Sequence, residues 1–203
     1  MTPKIVDREA KKIEIIHAAV KVFSEKGMVK AKMADIAIEA GIGKGTIYEY
    51  FRSKEEVFSS GFQMFFEGMQ DGIESALKST NDPVEQLKLL INLSFNSFLH
   101  HGSDLAMIMM DFWAEGIRNK DEKILNSIDL RKIYHDFRII IQAIIDNGIN
   151  QGVFRRVDSH HLASLIIGSL DGIMLQWIMD HKAIDLEKVT GSVIDNFLNG
   201  LYK

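Results

Sequence analysis

The chain holds 203 residues, 46% of them hydrophobic, with two prolines, no cysteine and a formal net charge of −4. That length and apolar content suffice for one large or two modest domains with ample core. The lack of cysteine excludes disulfides, thiolate metal sites and a thiol nucleophile, and it suits a reducing cytoplasm.

Residues 1–60 carry eleven Lys and Arg against nine Asp and Glu, a balance of +2, whereas residues 61–203 carry −6. Affinity for nucleic acid follows the local field at the phosphates rather than the overall charge. The split is compatible with one DNA-facing end and a body that DNA repels. The opening M-T-P-K-I-V-D-R-E-A has no apolar core of the signal-peptide kind, and no uncharged run approaches the ~20 apolar residues of a membrane span, so a cytoplasmic protein is expected.

In chain order, Ile13, Ile16, Val20 and Phe23 step by three and four and predict an amphipathic helix from about Asp7 to Lys26, with Gly27 as its C-cap. Lys4, Arg8, Lys11 and Lys12 read mainly as a solvated helix start. From Met33 to Phe51 the sequence is M-A-D-I-A-I-E-A-G-I-G-K-G-T-I-Y-E-Y-F, which divides into two short helical patterns. Met33, Ile36, Ala37 and Ala40 share one face of the first, and Ile47 and Phe51 point inward from the second. Two helices crossing steeply need a small residue at the crossing, Ala37, and one tolerant of positive φ at the corner, Gly41. Gly43 serves as N-cap of the second helix. Lys44, Thr46, Tyr48 and Tyr50 are then left outside, a basic, hydroxyl and aromatic set suited to phosphates and base edges. The pattern reads as a DNA-binding helix-turn-helix. Arg52 and S-K-E-E follow, a capping box of Ser53 and Glu56 opening a long helix to about Lys78 with Phe58, Phe62, Phe65, Met69, Ile73 and Leu77 on one face.

The run A-D-I-A-I-E-A-G-I-G-K-G-T-I-Y-E-Y-F-R-S-K-E-E resembles the N-terminal domain of the tetracycline-repressor (TetR) family of bacterial regulators, over roughly Arg8 to Phe66. The resemblance implies DNA contacts from Lys44, Gly45, Thr46 and Tyr48 of the recognition helix, with Tyr50 and Lys54 on phosphates and Lys32 at the neighbouring strand. The chain departs from the family pattern at two caps. Ala31-Lys32 stands where Ser or Thr usually begins the first motif helix, and Gly43 replaces the usual Ser.

Beyond Ser79-Thr80-Asn81-Asp82-Pro83, the clearest linker, Asp82 as N-cap and Pro83 at the first helical position start a helix running to His100-His101. Further helices are expected from Ser103 to Arg118, Asp121 to Asn150, Asp158 to about His181, and Leu186 to Leu201. The fold class is therefore all-α, about nine helices, with domains at 8–66 and 67–203. No Ser-centred elbow or phosphate-cradling glycine loop appears. The adjacent histidines His100-His101 and His160-His161 point about 100° apart on a helix and do not chelate as an i,i+4 pair would. No metal, cofactor or catalytic residue is expected.

The resemblance further implies an effector cavity, which Phe95, Phe98, Met107, Met110, Phe112, Trp113, Ile117 and Phe137 would line, although plain core fits the same residues. Ser164, Gly168 and Gly172 place small residues every four positions, and Leu165, Ile173, Trp177, Val193 and Phe197 offer apolar area, so the last two long helices are expected to pair with a second copy. The reading is a homodimeric, ligand-responsive repressor of transcription on an inverted-repeat operator, released by a small, largely apolar effector. Two rivals are a helix-turn-helix protein acting through protein contacts and a small-molecule enzyme using the helical cavity.

Overall fold

The computed structural model describes residues 7–97, Leu99, Asp104, Met107, Ile108, Met110, Arg118 and 128–202. Among these residues there are eight helices and no strand: α1 (Arg8–Lys30), α2 (Met33–Glu39), α3 (Lys44–Ile47), α4 (Lys54–Leu77), α5 (Pro83–Ser97), α6 (Leu130–Asn150), α7 (Ser159–Met179) and α8 (Leu186–Leu201). The all-α expectation holds. Of the helix expected from Ser103 only Asp104, Met107, Ile108, Met110 and Arg118 are described, and the helix expected from Asp121 to Asn150 is corrected to begin at Leu130, because Ile128 and Asp129 are not helical.

Two compact units emerge. One comprises Met1–Phe66 with Gly102–Asp129, the other Glu67–His101 with Leu130–Lys203. A single division at residue 66 would instead leave Gly102–Asp129 in the second. The border between Phe66 and Glu67 falls inside α4.

In the first unit, the Asp7 carboxylate accepts from the amides of Glu9 and Ala10 and so starts α1. The buried face of α1 is Ile15, Ile16, Ala19, Val22 and Phe23, whereas Ile13 is 43% exposed and Val20 only half-buried. The expected stripe is thus rotated, because α1 meets α2 on one side and α4 on the other. Against α4, the Phe23 ring stands edge-on to Phe58 with centroids 6.3 Å apart. A methyl on Gly61 would lie only 2.9 Å from Ile16 Cγ2. Gly27 breaks α1 at the expected place, its backbone being non-helical. At φ +74° it kinks the helix, which resumes through Lys30.

In the second unit, Asp82 caps α5 by accepting from the Val84 amide at 2.9 Å, ahead of Pro83, as the linker predicts. α5 lies against α6, α7 and α8, and α6 packs along α7. Asp158 accepts from the His161 amide at 2.9 Å to start α7, and Asp185 accepts from the Lys188 amide to start α8. By length and composition α7 is apolar enough to cross a membrane, although Asp171 interrupts its uncharged run. The reason is that its apolar residues serve two faces. Ala163, Ile166, Ile167, Leu170 and Met174 are buried, while Leu165, Leu175 and Met179 are exposed.

Candidate nucleic-acid interface

The corner of the helix-turn-helix forms as its glycine requires. Gly41 sits at φ +64°, a region that costs a residue with a β-carbon roughly 1–2 kcal/mol. Its amide donates to Ile38 O at 3.1 Å, and that of Ile42 to Ala37 O at 2.9 Å. Ala37, 1% exposed, is the small residue at the crossing. α3 has only four residues, far too few to hold a helix by its own hydrogen bonds. Tertiary anchoring holds it: Ile47 and Phe51 are 0% and 3% exposed, each contributing about 1.5–3 kcal/mol of burial.

With those two anchored, the outward edge follows. Lys44 and Gly45 are exposed, Tyr48 is 50% exposed, and Thr46 and Tyr50 are half-buried. A β-carbon on Gly45 would meet nothing within 4 Å; on Gly43 it would meet only Thr46 Oγ1, at 3.5 Å. Gly43 caps α3 with an ordinary extended backbone, φ −67° and ψ 147°.

Most cations of this unit are already engaged. Lys11 pairs with Glu14, Lys12 with Glu9, Lys21 with Glu39 at 2.6 Å and Lys26 with Asp35 at 2.8 Å. Arg8, which the sequence suggests is part of a solvated helix start, instead reaches the recognition segment. Its Nη2 donates to Glu49 O at 2.9 Å, and its guanidinium lies 6.0 Å from the centre of the Tyr50 ring. Among the described residues of the head, Lys30, Lys32, Lys44 and Arg52 are exposed and make no side-chain hydrogen bond or ion pair. Sequence reasoning misses Lys30 and Arg52. A signal exists for Arg52, which stands between an anchor that must point inward, Phe51, and a cap, Ser53.

Lys54, expected on a phosphate, is engaged within the head. Its ammonium donates to Met28 O at 2.7 Å, Val29 O at 3.1 Å and Ala31 O at 3.1 Å. An ammonium has three N–H donors, and all three are taken. The Ser53 box is also altered. Ser53 Oγ accepts from the Glu56 amide at 3.2 Å, but the Glu56 carboxylate accepts from the amide of Arg52, at 2.7 Å. At α2, the missing Ser or Thr cap is compensated from the other side, because Asp35 Oδ2 accepts from the Lys32 amide at 3.0 Å. The Lys26 ammonium and then the Lys32 amide hold the Asp35 carboxyl below its usual range.

Four of the residues expected around an effector are among the described ones. Phe95 is buried and Phe137 half-buried, while Met107 and Met110 are 42% and 38% exposed. The expectation has this pair enclosing an interior, yet both are exposed while Ile108 beside them is buried; one step along a helix is about 100° of rotation. Phe98, Phe112, Trp113 and Ile117 lie outside the described residues. A groove of about 320 Å³ is lined by Arg155, Val157, Leu162, Leu165, Phe197 and Leu201, among others, and includes none of the expected effector residues.

On α7, Leu165 is 59% exposed, and β-carbons on Gly168 or Gly172 would meet nothing. Trp177 is half-buried against the His181 ring, 4.2 Å between centres, and Val193 and Phe197 are half-buried. Ser164, expected at the pairing face, makes its bonds within the unit. It faces α6, its hydroxyl accepting from Arg138 Nε at 2.9 Å and donating to His160 O at 3.0 Å. Burial, reinforced by the Asp171 carboxylate, pushes the pKa of the Tyr134 phenol up.

Residues 15–60 match the model of bacterial regulatory proteins of the tetR family, and residues 62–200 match the model of the C-terminal region of YsiA-like protein. The chain is similar to the fatty acid metabolism regulator protein of Bacillus subtilis (strain 168), 27% identical over 196 residues that span 96% of this chain and 97% of the relative. Among solved structures it is similar to the fatty acid degradation regulator FadR of Bacillus halodurans, at 27% identity and a TM-score of 0.77, covering 93% of this chain and 94% of the other. It is also similar to FadR of Bacillus subtilis in complex with stearoyl-CoA, at 27% identity and a TM-score of 0.74, covering 94% and 99%.

Proposed function

The chain belongs to the tetR family of bacterial regulatory proteins, and from that premise we propose that it is a homodimeric repressor whose paired heads grip an inverted-repeat operator and let go when a long-chain acyl thioester of coenzyme A binds the second unit. The carrying observation is the edge formed by Lys44, Gly45, Thr46 and Tyr48, pushed outward by the buried Ile47 and Phe51. Lys32 and Tyr50 flank it, and Lys30 and Arg52 add exposed charge. A helix this short reads few base pairs, so useful affinity needs two copies on successive major grooves, about 34–36 Å apart.

Pairing is supported by α7, which leaves Leu165, Leu175 and Met179 exposed beside glycines with open space above them. A second α7 laid there would bury that face. The effector class is supported by the stearoyl-CoA complex of a relative that this chain matches along 94% of its length, and by the apolar make-up of the second unit's helices.

The test is binding of purified protein to a duplex enriched from a random-sequence library, followed by titration with stearoyl-CoA, coenzyme A and stearate separately. Release by the thioester alone is expected. DNA binding that no acyl thioester alters would refute the effector assignment, and no DNA enrichment at all would refute the whole reading.

A further inference from the structure

We infer that Lys54 is a positioning residue of the DNA-binding head, which clamps the elbow between α1 and α2 so that Lys30 and Lys32 are held toward DNA, and that Lys54 itself touches no phosphate. The inference rests on the reading of the Lys32–Lys44 edge as the DNA face.

The elbow is a weak point of the head. Gly27 kinks α1 at φ +74°, only three more residues are helical, and α2 begins at Met33. The carbonyls of Met28, Val29 and Ala31 lie at the C-terminal end of α1, where no further turn supplies N–H donors. Lys54, from the first turn of α4, answers all three, across 23 to 26 residues of sequence.

Met28 and Ala31 are turned into the core at 3% and 2% exposure, while Lys30 and Lys32 are exposed. The clamp therefore grips the backbone of the residues whose neighbours carry the free charge. For Lys54 to reach a phosphate, three charge-assisted hydrogen bonds would have to break, leaving carbonyls unanswered, to form one such interaction. Lys44 and Lys32, without such ties, reach a phosphate at no comparable loss.

Acetylation of lysines with acetic anhydride, read residue by residue by mass spectrometry, separates the roles in the wild-type protein with and without a DNA duplex enriched from a random library. Lys54 is expected to label slowly in both states, while Lys30, Lys32 and Lys44 label quickly alone and slowly on DNA. In the DNA complex of Lys54→Met, Lys30 and Lys32 are expected to regain reactivity while Lys44 stays protected, and Lys54→Arg is expected to restore their protection. Fast labelling of Lys54 in the free protein that DNA suppresses would overturn the inference. So would protection of Lys30 and Lys32 that survives Lys54→Met. Should Lys54→Met not fold, the wild-type pattern still decides. Failure of DNA to protect Lys32 and Lys44 would instead sink the reading of the DNA face.

Discussion

The ring of Phe154 occupies the space that a β-carbon on Gly148 would need: such a carbon would lie 2.1 Å from Cδ2 and 2.4 Å from Cε2. The backbone draws the two together as well, since Gly148 O accepts from the amides of both Val153 and Phe154 at 3.0 Å. Phe154, 1% exposed, bridges in turn to Tyr202 at the end of α8. Gly148→Ala is expected to overpack this junction and destabilise the protein by about 1–3 kcal/mol, read as a lower urea midpoint. In a Phe154→Leu background the same change should cost much less, the coupling being the signature of direct packing.

Gly45→Ala separates fold from function at the recognition helix. Open space surrounds the position, and alanine is favoured over glycine in a helix by about 1 kcal/mol. Thermal stability should hold or rise slightly. DNA binding, measured by fluorescence anisotropy, should weaken, because the added methyl lies on the edge presented to the groove.

Lys44→Ala should leave the urea midpoint unchanged, since the side chain is exposed and makes no side-chain bond among the described residues. The dependence of log affinity on log salt should become shallower by about 0.9 for each phosphate that the variant no longer neutralises. An unchanged salt slope would count against a phosphate-binding role for Lys44.

Asp35 links head stability to pH. Its folded-state pKa lies below the ordinary 3.8 because of Lys26 and the Lys32 amide, so the folded head binds fewer protons than the unfolded chain in that range. The contribution is complete above the ordinary value and is lost as pH falls through the depressed one. Asp35→Ala should therefore be less stable than wild type at pH 7, with the gap closing in strongly acidic buffer. A gap that persists at the acid end would assign the loss to packing rather than charge.

Leu165→Glu should convert a dimer to a folded monomer. The side chain is 59% exposed, so the substitution leaves the core of a single copy untouched while putting a carboxylate in the middle of the proposed helix pairing. Light scattering coupled to gel filtration reads the mass, and unchanged helical circular dichroism reports the fold.

Local signals in the sequence carry much of this architecture. Gly41 has to sit at a positive-φ corner, and Asp82 with Pro83 and Asp158 have to begin helices, because those residues satisfy backbone groups within a few positions of themselves. The inward turn of Ile47 and Phe51 follows from their spacing. What spacing does not reveal is long-range pairing. Lys54 stands in a run that invites a phosphate, and only the fold brings carbonyls from 23 or more residues away onto its ammonium. Arg8 is bound across 41 residues to Glu49 in the same manner. The buried face of α1 differs from the expected one for a related reason. Ile13 and Val20 fit a three-four repeat as well as Ile15 and Val22 do, and which set is buried depends on where α2 and α4 lie. Met107 and Met110 show the same limit, since apolar character alone does not say which residue of their turn faces inward.

The border between the two units falls within α4, between Phe66 and Glu67, and not in a loop. A genetic cut at the border would sever a continuous helix just where the Phe62 and Phe66 rings lie tilted, with centroids 4.6 Å apart. Grafting this head onto another regulator should succeed only if the whole of α4 travels with it.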